Sequence, residues 1–147
     1  MLNQEFVQRK IKLIQEDLSN LEPLAAFTFT QLAQDPIKYS ALERLLERII
    51  TRAIDVNNHC LAELAKGSEP IRSYYETFLR LADLGVYPEN FAKEIAPSAG
   101  LRNVLVHEYD QVDQRQVWQS LGKALAQYAQ YCNYLITFLE KNESAGR

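Results

Sequence analysis

Three polar residues in one short segment have side chains suited to phosphodiester chemistry. Arg102, Asn103 and His107 lie in LRNVLVHEY, residues 101–109. Because imidazole titrates near neutrality, His107 can act as a general base or acid. The Arg102 guanidinium can bind a phosphate bidentately and stabilise transition-state charge, and Asn103 can orient the phosphate or the imidazole. These residue types suit attack by a ribose 2′-hydroxyl on the neighbouring phosphate, which needs no metal and leaves a 2′,3′-cyclic phosphate.

Helical geometry predicts that one copy of this segment is an incomplete site. At about 100° per residue, Arg102 and His107 are about 140° apart and flank the outward surface. The apolar residues form one stripe that we expect to face the core: Leu101, Val104 and Leu105. Two-fold packing of the outward face, which carries Val106, would bring two arginines and two histidines to one cleft. The segment therefore predicts a homodimer.

Apolar spacing elsewhere in the chain predicts helices and no strands. The predicted helices cover about residues 3–21, 36–66, 68–85, 88–107 and 113–139, with an interruption near 97–100. Residues 24–34 fit either a short helix or an ordered connector. The prediction is an all-α bundle of four to five helices in a single domain of residues 1–147, with a disordered tail over 142–147.

Local signals set several of the predicted helix ends. Asp35 followed by Pro36 is typical of a helix start, and Gly67 of a helix end. Ser68 is predicted to cap the third helix. Asp113, with a glutamine three residues later, resembles a capping box for the last helix.

The composition is typical of a globular protein and argues against one class of nucleic-acid-binding protein. The 147 residues are 47% hydrophobic and 24% charged, as in ordinary globular proteins. With 16 basic and 19 acidic residues the formal net charge is −3, which argues against a protein held to nucleic acid mainly by charge. This net charge is compatible with one local basic site or with a site between two subunits.

Features of the chain also predict a cytoplasmic protein with no membrane association. The two cysteines, Cys60 and Cys132, lack zinc-ligand spacing and are interpreted as reduced thiols. The amino-terminal residues lack the pattern of a signal peptide. No apolar run approaches the roughly 18 residues that a membrane span needs.

Other polar and aromatic residues are interpreted mainly as structural. His59 is expected to be a hydrogen-bonded or surface residue, although it could approach the site. Asp110 and Asp113 could bind a metal, but turn and capping roles are preferred. Three tyrosines of the last helix could stack on bases, although aromatic packing is the preferred interpretation: Tyr128, Tyr131 and Tyr134.

A set of charged residues on the second long helix has i,i+4 spacing. We interpret it as a solvated face with ion pairs, in which some arginines could still widen an RNA cleft. The set consists of Glu43, Arg44, Glu47, Arg48 and Arg52.

The pattern R-N-x-x-x-H-x-Y over residues 102–109 closely resembles the signature of the HEPN superfamily, and of its HepT branch in particular. Residues 41–59, 75–86 and 113–139 resemble other helices of HepT proteins, so the resemblance extends from about residue 6 to 139. It implies a helical ribonuclease toxin that acts on RNA as a homodimer with a composite site. Carried over, Arg102 and His107 are catalytic, Asn103 is the supporting polar residue, and neither metal nor cofactor is required.

The resemblance also implies a partner and a control mechanism. The antitoxin of such a toxin–antitoxin pair is a small MNT-type nucleotidyltransferase, which transfers AMP from ATP to a tyrosine and joins the toxin in a higher hetero-oligomer. The matching residue is Tyr109. AMP at Tyr109 would place a charged, bulky group two residues from His107, where it would repel RNA. The alternative is a non-catalytic helical module that partners a nucleotidyltransferase.

Overall fold

The computed structural model describes residues 1–67, 69–107 and 112–145, with the backbone alone for residues 144 and 145. Over these ranges the chain forms seven α-helices and one 3₁₀ turn, and no strand. The helices are α1 (Gln4–Leu21), α2 (Phe29–Ala33), α3 (Pro36–Leu64), α4 (Tyr74–Asp83), α5 (Glu89–Ile95), α6 (Ser98–His107) and α7 (Gln114–Ala145), and the turn is Glu22–Ala26. Five of the helices have ten or more residues, so the predicted all-α bundle is confirmed. Helix α7 extends to Ala145, into the segment expected to be disordered.

Side-chain caps explain where the first helices begin. The Asn3 side chain accepts a hydrogen bond from the Phe6 backbone N–H at 3.0 Å, and Asp35 accepts one from Lys38 N–H at 3.1 Å. These bonds satisfy amides that have no partner within the helix. Gly67 has φ +86°, a left-handed conformation that favours glycine after a helix. The ends predicted for the first two long helices are therefore correct to within two residues.

The connector over residues 24–34, left undecided from the sequence, is ordered and mostly helical. It consists of the 3₁₀ turn and α2. A reciprocal capping box starts α2, because the Thr28 hydroxyl accepts from Gln31 N–H while the Gln31 side chain accepts from Thr28 N–H. This short helix packs against α3 and α7.

The predicted start of the third helix is wrong. Helix α4 begins at Tyr74, and its cap is Ser73, whose hydroxyl accepts from Glu76 N–H at 3.1 Å. Ser68, which was predicted to be the cap, lies outside the described residues. The later start leaves residues 69–73 outside any helix, and Arg72 in this segment is exposed.

Helix α3 lies at the centre of the bundle and packs against α1, α4, α6 and α7. Most of its apolar residues, together with Asn57, are buried. Tyr128 and Tyr131 of α7 are fully buried, and the Tyr134 ring packs 4.9 Å from the Phe91 ring, centroid to centroid. The preferred interpretation of these tyrosines as packing residues is therefore confirmed.

A buried polar network joins three helices within the otherwise apolar core. The Tyr131 hydroxyl donates to Asn57 Oδ1 at 2.6 Å, and Asn57 Nδ2 donates to Thr77 Oγ1 at 3.1 Å. The Thr77 hydroxyl donates in turn to the Tyr74 carbonyl at 2.6 Å. Because each of these polar side chains has a partner, burial carries little penalty. The network fixes the start of α4 against α3 and α7.

Two arginines of α3 form ion pairs with α1. Asp17 of α1 is 3% exposed and accepts from Arg52, and Arg48 Nη2 lies 3.4 Å from Asp17 Oδ1. Only Arg44 makes an ion pair of the kind expected along the helix, with Glu47 at 3.2 Å and i,i+3 spacing. The interpretation of all five charged residues as a solvated face is thus wrong for Arg52, whose side chain is 18% exposed and lies in the α1–α3 interface, whereas the Arg48 side chain is 39% exposed and remains solvated.

Both cysteines are buried and form no disulfide. Desolvation raises the pKa of the Cys60 thiol and that of the Cys132 thiol to about 12, so both remain protonated at neutral pH. Among the described residues, no helix is long and apolar enough to cross a membrane.

We expect Asp17→Ala to lower the free energy of unfolding by about 2 kcal/mol, because it leaves two partly buried guanidinium groups without their shared anion. Asp55→Ala is the matched control, since its 3.0 Å ion pair with Lys10 also joins α1 to α3 but Asp55 is 42% exposed. Its cost should stay below about 1 kcal/mol. Urea denaturation measures both. Equal losses would contradict the assigned role of burial.

Candidate active site

Helix α6 carries the segment with the candidate catalytic residues, and contacts at its start fix its position. The Ser98 hydroxyl donates to the Ile95 carbonyl at 2.7 Å, and Tyr128 OH lies 2.6 Å from Ser98 Oγ and donates to it. Leu105 is buried as expected, whereas Leu101 and Val104 are half-buried along a groove between α6 and α7. The outward face of α6 therefore has a defined orientation relative to α3 and α4.

Arg102 is held by contacts with two other helices. Its Nε donates to Thr51 Oγ1 of α3 at 3.2 Å, and its guanidinium carbon lies 5.4 Å from the centre of the Tyr74 ring of α4. A longer bond of 3.4 Å joins Arg102 Nη1 to the Asn103 side-chain oxygen. None of these partners is a carboxylate, so the guanidinium keeps its capacity to bind an anion. Its half-buried position holds it in one place before any ligand binds.

His107 is the last residue of α6, and its side chain is exposed. It lies five positions after Arg102 on the helix, which corresponds to about 7.5 Å along the axis and about 140° around it. The fold thus places both residues on one helix but does not bring their side chains to one point within a single chain. Asn103 is exposed beside Arg102. Tyr109, the predicted modification site, lies outside the described residues.

The other candidates from the sequence have structural partners. His59 Nε2 accepts from the Asn3 backbone N–H at 3.0 Å, and its ring packs 4.9 Å from the Phe6 ring. Asp113 Oδ1 accepts from the backbone N–H groups of Arg115 and Gln116, which makes it the cap of α7. Asp110 lies outside the described residues. Over the described ranges, no cluster of histidine, cysteine and acidic residues could hold a metal ion.

The structure adds a pocket that was missed from the sequence. It has a volume of about 420 Å³, lies between α3, α4 and α6, and is lined in part by Asn58, Arg72, Tyr74 and Asn103. Of these, only Asn103 was singled out beforehand. The missed residues come from helices distant in sequence, and the Ser-x-x-Glu pattern over residues 73–76 could have indicated the correct start of α4.

Comparison with known proteins shows the class and the family. The model of the family described as ribonuclease HepT-like matches residues 14–135. A tRNA nuclease HepT of Aphanizomenon flos-aquae is 36% identical over 143 residues, which cover 93% of this chain and 95% of that protein. An Archaeoglobus fulgidus protein described as a putative RNase is 28% identical over 142 residues, or 97% and 99% of the two chains. The all-α fold and these relatives thus define a helical ribonuclease. This chain belongs to the HepT-like ribonuclease family.

Solved structures share the fold. A Bacillus subtilis cytosolic protein of unknown function, YutE, superposes with a TM-score of 0.82 at 16% identity, covering 96% of this chain and 93% of that one. A tri-AMPylated HEPN toxin of Shewanella oneidensis in complex with an MNT antitoxin gives a TM-score of 0.77 at 20% identity, covering 90% and 97%. Family membership, which rests on the closer relatives, favours the enzyme over the non-catalytic module.

We expect Thr51→Val to speed exchange of the Arg102 Nε–H proton with solvent roughly fivefold, since it removes an acceptor worth about 1 kcal/mol. Arginine-detected NMR of the folded protein measures this rate. Thr30→Val, at an exposed position of α2, is the control and should leave the Arg102 signal unchanged. An unchanged rate in Thr51→Val would mean that this hydrogen bond does not hold the guanidinium.

Proposed function

We propose that this chain is the toxin of a toxin–antitoxin pair and a metal-independent endoribonuclease that cuts transfer RNA. The observation that carries the proposal is the placement of Arg102, held by Thr51 and Tyr74, beside an open pocket whose lining includes Tyr74 but no carboxylate. Transfer RNA is the proposed substrate because the relative that is 36% identical is a tRNA nuclease. The predicted cytoplasmic location belongs to the proposal, since transfer RNA and ATP are found there.

Two copies of the chain complete the proposed site. One His107 removes the proton of the ribose 2′-hydroxyl, and the oxygen attacks the adjacent phosphorus. The bond from phosphorus to the 5′-oxygen breaks, and His107 of the partner subunit gives that oxygen a proton. Both Arg102 guanidinium groups stabilise the extra negative charge on the phosphate oxygens. The products are a 2′,3′-cyclic phosphate and a 5′-hydroxyl. Support for the dimer comes from the separation of Arg102 and His107 along α6, which one chain does not bridge.

The proposal includes silencing by an MNT-type nucleotidyltransferase. The Tyr109 oxygen would attack the α-phosphorus of ATP, so that AMP is attached and pyrophosphate leaves. The attached phosphodiester would carry negative charge two residues from His107, next to the site proposed to hold the RNA phosphate. The AMPylated state of the Shewanella oneidensis toxin supports this chemistry for a protein of the same fold.

We expect His107→Ala and Arg102→Ala each to lower the rate of tRNA cleavage by at least about a hundredfold without a change in melting temperature. Purified protein is incubated with total RNA in EDTA, and cyclic-phosphate ends are detected. His59→Ala and Arg9→Ala are matched controls, because both replace residues away from α6, and both should cut at the rate of the parent. Cleavage by His107→Ala at the parental rate would refute the assigned role.

Tyr109→Phe should remain an active ribonuclease but resist silencing, since phenylalanine has no hydroxyl to accept AMP. The cognate nucleotidyltransferase and ATP are added, and attached AMP is counted by mass spectrometry before residual cleavage is measured. His107→Ala, tested in parallel, should still accept AMP. If Tyr109→Phe is silenced as fully as the parent, the acceptor is another residue.

A further inference from the structure

We propose that the pocket between α3, α4 and α6 binds one nucleobase of the RNA beside the scissile phosphate, with Tyr74 as its stacking surface. This inference deepens the proposed function and rests on it. The pocket residues are positioning residues in this role, since the chemistry is assigned to Arg102 and His107.

The pocket lies next to Arg102, which is proposed to bind the RNA phosphate. The Tyr74 ring contacts the Arg102 guanidinium at 5.4 Å and also lines the pocket, and Asn103 follows Arg102 in sequence and lines it too. A group bound in the pocket therefore lies next to the phosphate that Arg102 is proposed to hold. In a nucleotide only the ribose separates base and phosphate, so a bound RNA strand has a base available at this place.

The lining suits a nucleobase in size and chemistry. The volume of about 420 Å³ lies within the roughly 300–1,000 Å³ typical of small-molecule pockets. Amide groups of Asn58 and Asn103 can donate to and accept from the edge of a base, while the side chain of Ile71 adds an apolar wall. None of the lining residues is acidic. Arg72 is exposed at the rim, and no described carboxylate pairs with its guanidinium, which leaves it available to a phosphate.

Tyr74 has the exposure and rigidity of a stacking surface. Tyr74 is 41% exposed, whereas the Tyr128 and Tyr131 rings of α7 are fully buried. Its carbonyl accepts from Thr77, which is joined to Asn57 in the buried network, so the backbone below the ring is fixed. A fixed aromatic ring binds a base with little loss of conformational entropy.

Tyr75 provides a matched control within the same helix turn. It is 45% exposed, close to the value for Tyr74, but does not line the pocket. A general effect of removing an exposed tyrosine from α4 would appear in both variants, whereas base stacking would be lost only at Tyr74.

The test measures binding without cleavage, in His107→Ala protein. Short single-stranded RNAs carrying 2-aminopurine at successive positions are titrated, because the fluorescence of this base falls when it stacks on an aromatic ring. We expect quenching at one position, its loss in Tyr74→Ala with binding roughly tenfold or more weaker, and its retention in Tyr74→Phe and Tyr75→Ala. Thr51→Val, which loosens Arg102 without altering the pocket lining, should keep the quenching.

Three results would overturn the inference: no quenching at any position, equal quenching in Tyr74→Ala and the parent, or equal losses in Tyr74→Ala and Tyr75→Ala. The outcome is separate from that of the proposed function. The expected quenching pattern from a protein whose wild type cuts no RNA would refute the ribonuclease mechanism and support the pocket as an RNA site. Cleavage by the wild type, with no quenching at any position, would support the ribonuclease mechanism and refute the pocket as the site of a base.

Discussion

The position of α3 is the constraint on which the rest of the structure depends. Its apolar side fills the centre of the bundle, and three of its polar residues reach four neighbouring helices in different directions. Arg52 contacts Asp17 on α1, Asn57 joins α4 and α7, and Thr51 accepts from Arg102 on α6. Because these three contacts start from one rigid helix, the relative placement of Arg102 and Tyr74 follows from the same packing that stabilises the fold.

The local distribution of charge explains how a chain with a net negative charge could bind RNA at the proposed site. The net charge is −3, yet the pocket beside Arg102 has no acidic lining residue and an exposed arginine at its rim. Much of the remaining charge is held in local pairs, such as Arg80 with Glu76 and Asp83. Under the proposed function, affinity for RNA depends on a few well-placed groups rather than on a broad basic surface. Such an enzyme can discriminate among RNAs by the shape and bases at its cleft.

Local sequence signals were sufficient for most of the fold. The caps at Asn3 and Asp35 act within one turn, so their effect can be read from neighbouring residues. The same locality misled the prediction at Ser68, where a serine near a proline resembles a helix start although α4 begins after Ser73. The contacts of Arg102 with Thr51 and Tyr74 join residues far apart in sequence, and no local pattern encodes them. The motif predicts that Arg102 and His107 are catalytic, whereas only tertiary packing defines the contacts that hold Arg102.

The hydrogen-bonded set of Asn57, Thr77 and Tyr131 has an evolutionary consequence. Replacing Tyr131 or Thr77 by an apolar residue leaves one end of the buried Asn57 amide without its partner, at a cost of about 1–3 kcal/mol. Replacing Asn57 removes both of its hydrogen bonds at once, although the two hydroxyl groups keep backbone carbonyl acceptors. A change of all three to a well-packed apolar set removes that penalty. Single steps between the two solutions therefore pass through less stable intermediates, so these positions should be inherited as a unit. Lineages of this family should carry either the polar set or its apolar replacement, with few mixtures between them.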